Sequence, residues 1–192
     1  MPRTLPALVL FILLGLITPL SQADDVYDYP FHAGFALGFV GADLSCDYYG
    51  YNCDGSDTGF RIHAGKRLHP NLGVEVAYHD LGKLTDRGTR NTSSAESTGI
   101  NASLLGIIPV SEQIWFYGKV GYMWWDADYS QSNGTNSSES GSDMTYGAGL
   151  TLEFNQQYDL RFELERLNEL GDDFVSGGAT VTAVYIIGSV HF

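Results

Sequence analysis

The chain has 192 residues, of which 10 are Lys or Arg and 23 are Asp or Glu, so its formal net charge is −13. Only 17% of residues are charged, against about 25% in ordinary soluble domains, while 44% are hydrophobic and 13% aromatic. So acidic a chain without a basic cluster excludes a nucleic-acid partner. Two cysteines are too few for a disulfide scaffold, and the apolar content is too high for a disordered chain.

The first predicted element is a cleaved signal peptide over residues 1–23. One base, Arg3, precedes an apolar run from Leu5 to Leu20, and small residues at Ser21 and Ala23 form a cleavage site. This layout is typical of an exported precursor. The alternative, an N-terminal membrane anchor, is disfavoured because the apolar run is short for spanning a bilayer. The mature barrel domain is therefore predicted as residues 24–192.

Alternation of period two predicts eight strands in the remaining chain. The stretches are 31–41, 59–67, 72–79, 98–108, 114–125, 145–154, 158–165 and 179–192. Short turns near 69–71, 109–113 and 155–157 alternate with long loops near 43–57, 82–97, 127–142 and 168–178. This rhythm predicts an all-β protein, an eight-stranded antiparallel up-and-down barrel with unequal ends. Ten strands remain the alternative.

Aromatic residues on the apolar face distinguish a membrane barrel from a soluble one. They stand at both ends of the strands: Phe31, Phe116, Phe154, Tyr158 and Phe192 near the short turns, and Tyr78, Tyr122, Trp124 and Tyr146 near the long loops. From Phe116 to Trp124 the strand runs about 26 Å, or roughly 20 Å along the membrane normal once tilted. Two such girdles favour a transmembrane β-barrel over a soluble lipocalin-like binder.

The opposite face points into the lumen and carries charged residues. The predicted lumen charge network is Arg61, Glu75, Lys119, Arg161, Glu163 and Glu165. Charges buried in so narrow a lumen must pair, so we expect a salt-bridged plug. Four histidines share this face: His32, His63, His79 and His191. They are expected to fill space, and no metal or cofactor is predicted because no Cys or carboxylate stands beside them at ligand spacing.

The long loops carry two further features. Cys46 and Cys53 lie in the first loop, where an oxidising compartment predicts a disulfide. Acidic loop residues such as Asp126 and Asp128 can bridge to lipopolysaccharide through divalent cations, although they match no calcium loop. The segment from Ser130 to Ser142 has no aliphatic or aromatic residue, and we expect it to be a solvated loop.

Several segments resemble the eight-stranded transmembrane domain of the outer membrane protein A family. They are Asn71–Tyr78 followed by Asp80–Lys83, Tyr117–Tyr122, Leu160–Glu165 and Ser189–Phe192. The resemblance implies a Gram-negative outer membrane, and insertion by the barrel assembly machinery, which reads a C-terminal aromatic strand ending here at Phe192. It also implies a gate among the lumen charges, with Glu75, Lys119, Arg161 and Glu163 as candidates. Longer members carry a peptidoglycan-binding domain, and wall anchoring is not expected here.

These features predict a structural scaffold that displays acidic, polar loops to an extracellular ligand. The alternative is a narrow gated pore for ions or small solutes. An enzyme is not predicted, because a membrane-embedded hydrolase or acyltransferase would need a serine beside His79, Asp80 and Asp86.

Overall fold

The computed structural model describes residues 30–42, 52–54, 56–87, 92–131, 134, 136–170 and 179–192. Nine strands make up almost all of these residues: β1 (Phe31–Ala42), β2 (Asn52–Asp54), β3 (Ser56–His69), β4 (Leu72–Arg87), β5 (Thr92–Pro109), β6 (Ile114–Gln131), β7 (Asn136–Asn155), β8 (Tyr158–Leu170) and β9 (Ala179–His191). No helix among the described residues is long and apolar enough to cross a membrane.

Eight strands form a closed antiparallel barrel, in the order β4-β3-β1-β9-β8-β7-β6-β5 with β5 returning to β4. The short strand β2 only pairs with the far end of β4, where Asn52 faces Arg87. The seam between β1 and β9 is fixed by two backbone hydrogen bonds that Phe31 and Phe192 exchange, at 3.1 and 2.9 Å. The prediction of an eight-stranded barrel is confirmed, and the ten-stranded alternative is wrong.

The two faces of the wall have the polarity of a lipid-embedded barrel. Phe39 is 76% exposed and Phe154 67% exposed on the outer surface, whereas Arg61 and Glu165 are 0% exposed inside. A soluble barrel would reverse this arrangement, because apolar side chains gain free energy by leaving water. The outer surface is therefore suited to hydrocarbon, as the aromatic girdles predicted.

The predicted long loops at 82–97 and 127–142 are wrong over most of their length, because both are largely paired strand. Pairing of β4 with β5 continues to Arg87 opposite Thr92, and pairing of β6 with β7 continues to Ser130 opposite Asn136. We call the described residues of 82–97 the β4–β5 hairpin, and those of 126–143 the β6–β7 hairpin. They lack apolar alternation because their outer face meets water, so the pattern that marks a spanning strand disappears while the backbone ladder continues.

A β-bulge marks the point where β4 enters its hairpin. The register against β5 shifts between Asp80 and Lys83, and Gly82 has a φ of +76°. A Cβ at Gly82 would lie 2.9 Å from the carbonyl oxygen of Thr58, so glycine is needed there for space as well as for backbone conformation. The Gly82 amide donates a hydrogen bond to Asp80 Oδ1 at 2.9 Å.

Candidate functional site: the lumen of the barrel

The candidate site is the lumen, where the predicted charged side chains come together from four strands. Each is at most 5% exposed: Arg61 from β3, Glu75 from β4, Lys119 from β6, and Arg161, Glu163 and Glu165 from β8. They converge because every second residue of a strand points inward, and an eight-stranded barrel is only wide enough to hold its own side chains.

Arg61 and Lys119 share the two glutamates at the centre. Arg61 Nη1 lies 2.5 Å from Glu163 Oε1 and 3.1 Å from Glu165 Oε2. Lys119 Nζ lies 2.8 Å from one oxygen of each carboxylate. The Tyr117 hydroxyl donates a further hydrogen bond to Glu163 Oε2 at 2.6 Å. Such close contacts offset the cost of holding these charges away from water.

Arg161 and Glu75 continue the network toward the short turns. Arg161 Nη1 donates a hydrogen bond to Glu75 Oε2 at 3.0 Å, and Arg161 Nε lies 3.4 Å from Asp159 Oδ1. Glu75 Oε1 is 3.8 Å from Arg61 Nη2, so the ion pairs form one continuous cluster. We call it the charged layer: Arg61, Glu75, Lys119, Asp159, Arg161, Glu163 and Glu165.

Below the charged layer, at the short-turn end, a cavity of about 50 Å³ remains. His32, His191, Asp159 and Arg161 line its inner part. His191 Nε2 and Asp159 Oδ2 are 2.5 Å apart, which ties the end of β9 to the start of β8. This volume is enough for a few water molecules.

Two histidines stand near Glu75, and one of them, His32, also lines that cavity. His32 Nε2 is 3.5 Å from Glu75 Oε2, and His63 lies next to His32 with ring centroids 5.8 Å apart. Sequence spacing suggested no carboxylate near the histidines. The carboxylate comes instead from β4, because β3 lies between β1 and β4 and all three residues point inward.

The half of the lumen nearer the hairpins is filled by a different chemistry, which the sequence analysis missed. We call it the apolar layer: Ala36, Val40, Leu81, Met123, Trp125, Ala127, Tyr129, Leu167, Val181, Ala183, Tyr185 and Ile187. The inward positions of Met123 and Tyr185 were the available signal. The Trp125 indole lies against Gly141, where a Cβ would stand 2.4 Å from the ring, and its Nε1 donates to Asp143 Oδ2 at 2.8 Å.

Tyr185 joins the two layers. Its ring packs within the apolar layer, and the Arg61 guanidinium lies 5.0 Å from the centroid of that ring. Its hydroxyl is 3.4 Å from Nδ1 of His79, a side chain that is 0% exposed. Further out, in the β6–β7 hairpin, burial raises the pKa of the Tyr129 phenol and the Glu139 carboxylate adds to the effect, so Tyr129 stays neutral.

Comparison with known proteins identifies the family. The family model described as "Outer membrane protein beta-barrel domain" matches residues 9–186. The chain belongs to this outer membrane protein β-barrel family. Outer membrane protein A of Klebsiella aerogenes is 24% identical over 117 residues, which are 61% of this chain and 33% of that protein. The chain thus spans about a third of the length of the curated relatives it matches.

Solved structures agree on the fold. Neisserial surface protein A is 18% identical with a TM-score of 0.63, covering 84% of this chain and 97% of that one. The Ail protein of Yersinia pestis is also 18% identical, with a TM-score of 0.53 and coverages of 84% and 98%. Ail has further been solved with the heparin analogue sucrose octasulfate, at a TM-score of 0.52. The predicted resemblance to outer membrane protein A is therefore confirmed.

Family membership places this barrel in the Gram-negative outer membrane, with the short turns in the periplasm and the hairpins outside the cell. The predicted signal peptide at 1–23 and Cys46 lie outside the described residues, as do most residues of the predicted loops at 43–57 and 168–178. Cleavage of the signal peptide and the Cys46–Cys53 disulfide therefore stay predictions. Phe192 is described: it is 61% exposed and stacks on Phe31 with ring centroids 6.3 Å apart.

Proposed function

We propose that this outer-membrane barrel is a closed, non-enzymatic scaffold whose β6–β7 hairpin binds a basic partner at the cell surface. One observation carries the proposal: the lumen is filled by two successive layers, while the strands continue well past the lipid-facing surface. Because the interior is closed, the outer ends of the strands are the surface at which we expect a partner to bind.

The β6–β7 hairpin reaches far enough to contact a partner. Trp124 stands on the outer aromatic girdle, and β6 continues to Gln131, about 23 Å further along the strand at 3.3 Å per residue. On the other strand, Asn136 begins β7 ten residues before Tyr146 of the same girdle. A paired ladder of this length holds its tip clear of the lipid head groups.

The negative charge of this hairpin indicates the sign of the partner's charge. No Lys or Arg occurs between Lys119 and Arg161. Four acids lie on the hairpin: Asp126, Asp128, Glu139 and Asp143. Ail was solved with a sulfated sugar analogue, but sulfate groups brought to this hairpin would meet carboxylates. We therefore propose a cationic protein surface as the partner and not a sulfated glycan.

The gated pore is the weaker candidate. Opening it would require the ion pairs of the charged layer to rearrange and, in addition, the apolar layer to move aside. Leu81, Leu167 and Val181 are each at most 2% exposed in that layer, so tightly packed apolar side chains would have to be displaced before an ion could pass. An active site near His79 is also disfavoured, because its imidazole is fully enclosed between Tyr185 and the charged layer.

Three further partners follow from the location in the outer membrane. Hydrocarbon covers the apolar outer face, and lipopolysaccharide surrounds the outer girdle, where exposed Asp126 and Asp128 can share divalent cations with its phosphates. The exposed aromatic Phe192, directly after β9, supports recognition of this strand by the barrel assembly machinery.

A binding experiment tests the proposed partner. The protein is placed in phosphatidylcholine nanodiscs, and binding of polylysine and of heparin is measured at low and high salt. The wild type is expected to bind polylysine, more weakly at high salt, and not heparin. The double variant Asp126→Asn, Asp128→Asn should bind polylysine at least two-fold more weakly.

Glu112→Gln is the matched control, because it removes one exposed carboxylate from a periplasmic turn and should leave binding unchanged. Preferred binding of heparin, or equal polylysine binding by the double variant, would contradict the proposal. In planar bilayers the wild type should be silent, and steady conductance would favour the pore.

A further inference from the structure

We propose that His32, His63 and Glu75 form a binding site for a divalent transition-metal ion such as Zn²⁺, inside the barrel at its periplasmic end. The three residues come from β1, β3 and β4. Each offers one ligand atom, and the three atoms lie within 4.8 Å of one another. Two imidazoles and one carboxylate are a donor set used by zinc sites that keep a fourth position for water.

The imidazoles hold unused ligand atoms although both are buried. His32 is 7% exposed and His63 is 2% exposed. His63 Nδ1 has no hydrogen-bond partner, and His32 Nε2 has none apart from the Glu75 carboxylate 3.5 Å away. Buried nitrogens of this kind are costly to leave unsatisfied, and a metal ion would satisfy both at once.

The other nitrogen of His63 is already oriented. Ser189 Oγ lies 3.4 Å from His63 Nε2, and so leaves Nδ1 directed away from the β9 wall. A metal-binding histidine usually makes such a contact through its second nitrogen, which fixes the orientation of the ring. Ser189 is therefore the positioning residue of the site.

Two glycines make room for the rings against the wall. His32 pairs with Gly65 and His63 pairs with Gly34 in the ladder between β1 and β3. A Cβ at Gly65 would lie 2.5 Å from His32 Nε2, and one at Gly34 would lie 2.5 Å from His63 Cε1. The rings thus lie against neighbouring strands with their ligand atoms within 4.8 Å of one another, and binding would draw these atoms to the roughly 3.3 Å that bonds of about 2.0–2.1 Å require.

The net charge of the charged layer and the cavity beside His32 also favour the binding of a cation at this site. Among the described residues the charged layer has three permanent cations and four carboxylates, which leaves a net charge of 3 − 4 = −1 before any histidine is counted. His32 lines the cavity of about 50 Å³ at the periplasmic end, which is large enough to hold a water ligand for the ion.

Zinc titration of the purified protein tests this site. The full chain is prepared without an affinity tag, stripped with a chelator and titrated with Zn²⁺ in detergent micelles by calorimetry. One ion per chain is expected at micromolar concentration. His63→Gln and His32→Gln should each weaken binding at least ten-fold. The matched control His69→Gln alters an exposed histidine in the β3–β4 turn and should bind as the wild type does.

A second measurement covers the case in which a variant does not fold. Co²⁺ added to the wild type should give the visible absorption of a four-coordinate nitrogen and oxygen site, and Zn²⁺ should displace it. Absence of zinc binding by the wild type overturns the proposal. So does equal affinity in His32→Gln, His63→Gln and His69→Gln, which would assign the ion to surface acids. Thermal stability that depends on pH but not on Zn²⁺ would also overturn it, because a histidine proton then supplies the missing charge.

Discussion

The periplasmic half of the lumen is filled mainly by ion pairs, beside a small apolar cluster of Leu105, Ile107 and Tyr117, whereas the half near the hairpins is filled mainly by apolar side chains. In the charged layer Arg61 and Lys119 both contact Glu163 through charged atoms, at 2.5 and 2.8 Å. In the apolar layer Leu81, Leu167 and Val181 pack at most 2% exposed. Both fillings exclude water from the same narrow cylinder, so a closed lumen does not require one particular chemistry.

The difference between the layers lies in how they respond to the loss of one member. Removing one partner of a buried ion pair leaves the others charged and unsolvated, so the cost exceeds the worth of the contact itself. Removing an apolar side chain costs its transfer free energy and the cavity left behind. Loss of one side chain is therefore expected to cost more stability in the charged layer than in the apolar layer.

The largest effect is expected for Arg61→Met, which leaves Glu163 and Glu165 with Lys119 alone. The free energy of unfolding should fall by about 3–5 kcal/mol. Urea titration in lipid vesicles, followed by tryptophan fluorescence, measures the change. A loss no larger than that of the apolar-layer variant Leu167→Ala would contradict the stricter requirement of the charged layer.

Truncation in the apolar layer comes next. Leu167→Ala should lower the free energy of unfolding by about 2–4 kcal/mol, because Leu167 is 1% exposed and its neighbours cannot fully close the cavity. The matched control Leu164→Ala changes the same strand on the lipid face, where the side chain is 53% exposed and lipid fills the space. If the control is as destabilising as Leu167→Ala, the apolar layer is not a packed core.

The connection between the layers predicts a smaller effect. Tyr185→Phe removes the hydroxyl that lies 3.4 Å from His79 Nδ1 and keeps the ring beside Arg61. Loss of one buried hydrogen bond should cost about 1 kcal/mol. Tyr185→Leu, which also removes the cation–π contact, should cost clearly more in the same urea titration. Equal losses in the two variants would mean that the ring does not couple the layers.

The smallest effect is expected outside both layers. Lys83 Nζ and Glu96 Oε1 are 2.9 Å apart, but the side chains are 53% and 61% exposed. Lys83→Ala should change the free energy of unfolding by less than about 0.5 kcal/mol, because water and salt screen the pair. A shift comparable with that of Arg61→Met would remove the distinction between buried and exposed ion pairs.

Alternation alone was enough to predict the wall of the barrel. In β8, Tyr158, Leu160 and Phe162 separate cleanly from Asp159 and Arg161, since lipid and lumen select opposite side chains. The partners inside the lumen depend on the register and tilt of strands far apart in sequence, as with Arg61 and Glu163, which lie 102 residues apart. No local pattern in the sequence indicates which residues pair over such a separation.

Two other features escaped prediction for different reasons. The outer parts of the hairpins face water, so their polar residues resemble a loop even where Ser130 pairs with Asn136. Glu75 reaches His32 and His63 only across three adjacent strands, so spacing along the chain gives no sign of it. In both cases backbone pairing between strands determines the structure, and the side-chain pattern along the sequence does not indicate it.

The seam between β1 and β9 has a consequence for the order of assembly. It pairs His32 with His191, 159 positions apart, and ends in the backbone hydrogen bonds between Phe31 and Phe192. Contacts of such separation form late, because the entropy of closing so long a loop must be overcome first. Until they form, two strand edges with unpaired amides and carbonyls face the membrane, where each unpaired group costs several kcal/mol. The same open edges can pair with a second unfinished copy, so sealing the barrel competes directly with aggregation.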